Sequence, residues 1–409
     1  MSGTPTLKRS LSLPLITFYG LGTIIGAGIY VLIGVVASKA GMFSPLAFLL
    51  AAFIAGFTAF SYAELTSRLP RSAGEAVYFQ EAFGKRWLSS TIGWAVVAIG
   101  LVSAATIANG FVGYLEFFVQ TPGWIAITCL VISLGLIAAI GISQSVWMAT
   151  VITLIELGGL IFVLAVAGNN FDQLPERLPE LIPSLDASTW NGIFIGAFLA
   201  FYAFIGFEDM VNVAEEVKNA PRTLPKAIII ALVISTILYL AIALVAVLAV
   251  PIDDLASSTA PLALIVENNV ETGSYNSTLL ISAISLIAVV NGALIQIIMA
   301  SRVMYGMGNT GLAPRSLAKI HPRTQTPLFA TGLTVLAVLI LALWLPLVTL
   351  AQITSFITLS IFAGVNLALI KLKFRTPIIS GVMHYPLWVP IMGALLSIIF
   401  LILQSGLAD

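Results

Sequence analysis

The sequence predicts an all-α, multi-pass membrane protein, and three observations support this fold class. First, 59% of the 409 residues are hydrophobic and only 9% are charged, whereas a soluble domain carries about 25% charged residues. Second, the mean hydropathy is +1.06, and a soluble core could not bury so much apolar surface. Third, apolar runs of about 20 residues, long enough to cross a bilayer as a helix, recur along the whole chain.

These runs predict about eleven membrane spans. They cover residues 12–37, 43–67, 88–118, 123–141, 145–168, 191–214, 225–250, 276–301, 328–346, 349–370 and 385–404. The longest outer connectors, 169–190 and 251–275, are too short for a separate catalytic domain. The function is therefore expected within the membrane or at its faces.

The basic residues of the connectors predict the orientation. With the N-terminus inside, every Lys and Arg except Lys39 and Arg177 lies on the cytoplasmic side, and the opposite orientation leaves only those two there. Residues 1–10 are polar and basic and lead directly into the first span, so we expect a retained cytoplasmic N-terminus. We expect the plasma (inner) membrane as the location.

The remaining composition argues against several function classes. The net charge of zero argues against a basic nucleic-acid-binding protein. Cys129 is the only cysteine, so no intramolecular disulfide can form, and His321 and His384 lie in polar connectors. No intramembrane His–Glu metal set or Ser–His pair is present in the sequence. We therefore expect no metal, no cofactor and no enzyme activity.

Two predicted spans carry helix-breaking patterns near mid-bilayer. The first contains "TIIGAGIY", in which Gly26 and Gly28 lie inside the span, where each glycine costs about 0.5–1 kcal/mol relative to alanine. The sixth contains "AFIGFED", in which Gly206 is followed, after one phenylalanine, by Glu208 and Asp209. Gly22 and Gly26 also form a small-xxx-small pair typical of close helix packing. Because the two patterns lie at similar depth in oppositely directed spans, we favour two interrupted helices.

Five spans counted from each break indicate an inverted repeat. The single transmembrane domain, 1–409, would comprise repeat one at 12–168, repeat two at 191–370 and an extra helix at 385–404. Paired discontinuous helices mark a substrate site near the midplane in such transporters.

Breaks at this depth would present backbone groups of both polarities to a cavity. Free N–H groups at Gly26 to Gly28 would favour a carboxylate. Free carbonyls at the end of the preceding half-helix, and around Tyr202 to Ile205, would accept hydrogen bonds from an ammonium group. A site with both polarities suits a zwitterion, which means an amino acid.

Three carboxylates lie inside predicted spans. Glu156 has no cationic neighbour in the local sequence, so it should be protonated or paired across helices. It is either a proton-coupling site or a permanently neutral side chain that hydrogen-bonds between helices. Asp209 is expected to cap the following half-helix. Glu208 is expected to face the pathway, where it would prefer a cationic side chain or take part in proton coupling.

Four segments of the chain resemble the amino acid–polyamine–organocation superfamily of permeases. They are "GLGTIIGAGIYVLIGVVASKAG" (20–41), "SYAELTSRLPRSAGEAVYFQEAFG" (61–84), "FYAFIGFEDMVNVAEEVKNAPRTLPKAI" (201–228) and "SRVMYGMGNTGLAPRSLAKIHPRTQTP" (301–327). The resemblance implies a five-plus-five inverted-repeat transporter fold that works by alternating access. It also implies a carboxylate site at Ile25, Gly26, Ala27 and Gly28. The substrate amine would then meet the backbone carbonyls of Ile24, Tyr202, Ala203 and Ile205.

The sequence departs from the superfamily pattern at two points. Many members carry a lysine in the fifth span that stands in for a sodium ion, and Glu156 occupies that neighbourhood here. The coupling mechanism therefore does not transfer, and Glu156 would bind a proton or a cation instead. Twelve spans are also common in the superfamily, which leaves the oligomeric state unspecified for a chain with eleven.

We predict a secondary active amino acid transporter that works by proton-coupled alternating access in contact with membrane lipid. An exchanger, a facilitator, a channel and a sensor without flux are the alternatives, although no ring-forming filter motif supports a channel. Phe204, Ile205 and Phe207 suggest apolar pocket walls, whereas Glu208 would also suit a cationic substrate.

Overall fold

The computed structural model describes residues 9–71, 74–140, 146–270, 275–376 and 381–406, without the side chains of residues 27, 146–148, 275, 405 and 406. The described ranges are helical apart from turns and connectors. An isolated parallel bridge joins Leu11 to Val217.

The chain is built from long helices joined by short turns. The helices are α1 Leu13–Ala40, α2 Ser44–Arg68, α3 Gly74–Phe83, α4 Arg86–Leu115, α5 Gly123–Ile140, α6 Val146–Ala167, α7 Leu174–Arg177, α8 Ala187–Phe201, α9 Ala220–Ala249, α10 Ile252–Ser257, α11 Pro261–Asn269, α12 Tyr275–Asn309, α13 Leu328–Trp344, α14 Leu347–Arg375 and α15 Trp388–Gly406. Two 3₁₀ segments, Tyr202–Phe204 and Phe207–Glu216, follow α8.

The long helices confirm the predicted all-α membrane fold. Within the described ranges, eight helical stretches are long and apolar enough to cross a membrane. The first, Leu13–Arg68, has 56 residues and contains both α1 and α2. Two shorter apolar helices, Leu328–Trp344 and Trp388–Gln404, add to these. Each predicted span overlaps one of these helices, because hydropathy over about 20 residues captures what a bilayer-spanning helix requires.

The end of the bundle where α1 begins and α2 ends carries Arg68, Arg86, Arg302 and Lys373. We call this end the basic face. Arg68 donates a hydrogen bond to the Thr376 carbonyl (2.8 Å) and pairs with Glu64 (2.7 Å). The buried Glu64 carboxylate also pairs with Lys373 of α14, at 2.6 Å. These contacts fix α2, α14 and the connector before α15 to one another.

The predicted interruption of the first span is absent, because α1 is one continuous helix from Leu13 to Ala40. Its glycines instead permit close packing. A Cβ atom added to Gly28 would lie 2.5 Å from the Cα of Ala203, and one added to Gly22 would collide with Thr153 of α6. The backbone N–H groups of Gly26 to Gly28 therefore lie inside a helix and do not begin a half-helix.

The predicted interruption of the sixth span is confirmed. α8 ends at Phe201, Ile205 is extended (φ −67°, ψ 136°), and Gly206 has φ +130°. L-residues with a side chain rarely adopt that φ, and a Cβ atom added to Gly206 would also collide with the Thr23 carbonyl. Glycine is thus required here by the backbone itself.

Candidate functional site

The break in the sixth span lies directly against the middle of α1. The Thr23 hydroxyl donates a hydrogen bond to the carbonyl oxygen of Gly206, at 3.0 Å. Gly28 allows Ala203 to approach the helix backbone. The close contact of the two segments, which the sequence predicted from their matching depth, is therefore present even though only one of them is interrupted.

A tyrosine of α9 joins the two segments. The buried hydroxyl of Tyr239 lies 2.8 Å from the Ile24 carbonyl oxygen and 3.0 Å from the Ala203 carbonyl oxygen, so it can donate to either. The Tyr202 carbonyl accepts a hydrogen bond from the backbone N–H of Ile205, at 3.2 Å. Of the four carbonyls predicted to receive a substrate amine, that of Tyr202 thus has a backbone donor, and those of Ile24 and Ala203 share the one Tyr239 hydroxyl proton.

A small cavity of about 20 Å³ lies at this junction. Its walls are Thr23, Ile24, Gly28, Ser103, Ile107, Tyr202, Ile205, Gly292, Ile295 and Gln296. Four predicted site residues, Ile24, Gly28, Tyr202 and Ile205, therefore lie together. The space holds about one water molecule, so an amino acid can enter only if the walls move.

The other residues of the predicted carboxylate and amine sites lie outside these walls. Ile25 is fully buried, and Gly26 faces Gly292 of α12, whose Cα would lie 3.7 Å from an added Cβ. Ala203 packs against Gly28. The side chain of Ala27 lies outside the described residues.

Helices α4 and α12 supply walls that the sequence analysis did not predict. The Ser103 hydroxyl of α4 forms a hydrogen bond with the Tyr202 hydroxyl at 2.9 Å, and Gln296 comes from α12. Polar side chains inside apolar spans are a general signal for function. That signal was available for Ser103 and Gln296, but nothing in the linear sequence brings either residue to α1.

The two carboxylates after the break differ in position. Glu208 accepts a hydrogen bond from the Gly206 N–H (2.8 Å) and lines neither the small cavity nor a second, larger cavity of about 830 Å³. Asp209 lines the larger cavity, and its carboxylate contacts the side-chain amide of Gln296. Glu208, which we expected to face the pathway, therefore binds the backbone of the break. Asp209 is the carboxylate that lines a cavity.

The larger cavity has a volume of about 830 Å³ and lies at the basic face. Its polar walls include Tyr19, Glu75, Arg86, Asp209 and Arg302. It shares one wall residue, Ile295, with the small cavity. Burial raises the pKa of Glu75, which lies on the connecting helix α3, while backbone hydrogen bonding and the Tyr62 hydroxyl (2.8 Å) oppose that rise.

Glu156 lies between α6, α12 and α1. Its Oε1 accepts a hydrogen bond from the Asn291 side chain (3.1 Å), and its backbone carbonyl accepts one from Tyr30 (2.5 Å). Its side chain is completely buried, and Oε2 has no hydrogen-bond partner among the described residues. The ion pairs within the described ranges do not include it. A carboxylate in this setting is costly when ionised.

Comparison with known proteins points to transport. A family profile described as amino acid permease matches residues 11–407. A branched-chain amino acid permease of Bacillus subtilis is 29% identical over 99% of this chain and 90% of its own length. A methylthioribose transporter of the same species is 28% identical, also over 99% of this chain and 90% of its own length. The vacuolar cationic amino acid transporter 2 of Arabidopsis thaliana is 30% identical over 91% of this chain, which spans only 61% of that relative.

Proposed function

The chain belongs to the amino acid permease family, a family of transporters and not of enzymes, and we propose that it carries amino acids across the membrane by proton-coupled alternating access. The observation that carries this proposal is the cavity at the break of the sixth span. There, Gly28, Tyr202 and Ile205 meet in a buried space that is next to a much larger cavity. Interrupted backbone that borders a midplane cavity is the usual position of a transporter's substrate site.

We assign the basic face to the cytoplasm, because basic connectors are retained on that side, and the membrane to the plasma (inner) membrane. The larger cavity then opens inward. At the other end of α1, α10 packs so closely that a Cβ atom added to Gly34 would lie 2.6 Å from the Leu255 carbonyl oxygen. An open inner cavity with packed helices above the site corresponds to an inward-facing state.

The walls of the small cavity suit an aliphatic substrate side chain better than a charged one. Ile24, Ile107, Ile205 and Ile295 form its apolar walls, and none of the residues that line it is charged. Movement of Ile295, the residue shared with the larger cavity, would enlarge the space enough for a branched side chain. The branched-chain permease relative is consistent with this assignment.

Glu156 is our candidate for the coupling residue. Because Oε2 has no hydrogen-bond partner in the part of the chain that the structure describes, a proton bound there would remove the cost of an ionised group in an apolar setting. The competing role is a permanently neutral side chain that joins α6 to α12 through Asn291.

Proteoliposomes test the transport proposal. Purified protein should accumulate labelled L-leucine above equilibrium under an imposed pH gradient, and an ionophore that collapses the gradient should abolish the accumulation. Equilibration without accumulation would contradict proton coupling and indicate a facilitator or channel. An exchanger would instead require counter-substrate inside the vesicles.

The substitution Glu156→Gln tests the coupling residue. It keeps the acceptor for Asn291 but cannot release a proton, so uptake should lose its dependence on the pH gradient while L-leucine exchange continues. The matched control is Gln352→Glu on α14, a position that lines neither cavity, which should leave gradient-driven uptake unchanged. Accumulation by Glu156→Gln at the wild-type level would assign Glu156 to helix packing alone.

A further inference from the structure

Gln296 of α12 lies at the boundary of the two cavities and carries an unused hydrogen-bond acceptor. Its side chain is only 7% exposed and lines the small cavity opposite the break. Its Oε1 has no hydrogen-bond partner among the described residues. A buried polar atom without a partner is costly and therefore rare in native proteins.

Asp209 fixes which way this amide faces. The Gln296 amide contacts the Asp209 carboxylate, and a carboxylate accepts hydrogen bonds but cannot donate them. The amide nitrogen must therefore face Asp209, which leaves the oxygen on the opposite side of the amide. Asp209 lines the larger cavity and Gln296 the small one, so the pair connects the two spaces.

The α-ammonium group of an amino acid needs an acceptor that the interrupted backbone does not fully supply. An ammonium group carries three N–H donors. The carbonyls of Ile24 and Ala203 share the one hydroxyl proton of Tyr239, and the Tyr202 carbonyl accepts from the backbone N–H of Ile205. An acceptor without a donor in the same cavity is therefore the best-placed complement to the remaining N–H groups.

We propose that Gln296 Oε1 accepts a hydrogen bond from the α-amino group of the substrate, and that Asp209 is the positioning residue that orients this amide. Gln296 is then a specificity determinant that selects α-amino acids against carboxylic acids that lack the amine. This assignment rests on the proposed function in amino acid transport. It differs from a packing role because it affects one ligand group only.

A pair of ligands that differ only in the amine provides the test. Binding of L-leucine and of its des-amino analogue 4-methylpentanoate is measured by calorimetry on the full chain in lipid nanodiscs. We compare wild type with Gln296→Met, which is similar in shape but lacks the acceptor. The control is Gln352→Met, the same change on α14 at a position outside both cavities.

Gln296→Met should weaken L-leucine binding about tenfold, the size expected for a hydrogen bond to a charged group, and should leave 4-methylpentanoate binding unchanged. Gln352→Met should change neither. An equal loss of affinity for both ligands in Gln296→Met, or no loss of affinity for L-leucine, would overturn the assignment.

A second variant keeps the proposal testable if Gln296→Met does not fold. Gln296→Glu in its protonated form still donates to Asp209 and still offers an acceptor oxygen, so it should retain the wild-type preference for L-leucine. Loss of that preference would overturn the assignment. If the wild-type protein binds no L-leucine, the proposed substrate class itself is overturned. If the wild type binds L-leucine and Gln296→Met keeps the same preference for it, only the role of Gln296 is overturned.

Discussion

α1 and the sixth span both carry glycine inside an apolar run, yet only the sixth span is broken. In α1 the glycines keep helical backbone angles, and their missing side chains let Ala203 and Thr153 approach. In the sixth span Gly206 has φ +130°, an angle that other residues rarely adopt. The comparison shows that glycine serves one segment as a spacer and the other as a backbone turn.

The difference also changes how a substrate could bind. The continuous α1 retains its helical hydrogen bonds, so it offers little free backbone to a ligand. At the break, the carbonyl oxygens of Ala203 and Gly206 lie within hydrogen-bond distance of the hydroxyl donors of Tyr239 and Thr23. We therefore expect side chains from α4 and α12, which line the same cavity, to supply further substrate contacts.

Substitution of Gly206, the glycine of the turn, should have the largest effect on stability and transport. Gly206→Ala places a Cβ atom against the Thr23 carbonyl at a strained φ, which should lower the free energy of unfolding by about 3 kcal/mol and abolish L-leucine uptake. Thermal unfolding in nanodiscs and proteoliposome uptake measure the two effects. Unfolding and uptake at wild-type levels would contradict the assigned conformation of Gly206.

Alanine substitutions at two glycines of α1 should change the free energy of unfolding by different amounts. Gly28→Ala introduces a Cβ atom 2.5 Å from Ala203 Cα, whereas the Cβ of Gly26→Ala lies 3.7 Å from its nearest neighbour. We expect Gly28→Ala to destabilise by about 2 kcal/mol. Gly26→Ala should be neutral or slightly stabilising, since alanine is the better helix former.

Thermal unfolding of the two variants side by side checks this order. Equal losses of stability in the two variants would mean that α1 is interrupted at these glycines. Both positions would then require glycine for their backbone angles and not for close packing.

Removal of the Tyr239 hydroxyl, which joins the two segments, should destabilise the protein less than either Gly206→Ala or Gly28→Ala. Tyr239→Phe loses its hydrogen bonds to the Ile24 and Ala203 carbonyls and should cost about 1 kcal/mol, since interhelical hydrogen bonds in membranes average about 0.6 kcal/mol. The control is Tyr78→Phe, which removes a buried hydroxyl without a hydrogen-bond partner among the described residues and should cost nothing. Equal melting temperatures for the two variants would show that Tyr239 does not join α1 to the break.

Hydropathy predicted the helices because a bilayer imposes one length and one composition on every span. The break at Gly206 was predictable because two carboxylates follow within three residues of that glycine inside an apolar run. The continuity of α1 was not, since a glycine used for close packing is the same letter as a glycine used for a turn. Ser103 and Gln296 were missed because their position at the site depends on how α4 and α12 pack in three dimensions.

The most direct test of the account asks whether substrate occupies the small cavity. Cys129→Ser removes the only cysteine. A thiol is then introduced by Ile107→Cys in the small cavity or by Val303→Cys, which lines the larger cavity alone. A small methanethiosulfonate reagent, which converts the thiol to a mixed disulfide and releases methanesulfinate, is added, and the rate of modification is measured with and without L-leucine. We predict that L-leucine slows the reaction at position 107 and not at position 303, whereas protection at 303 alone, or at neither position in protein that still transports L-leucine, would contradict a substrate site at the break.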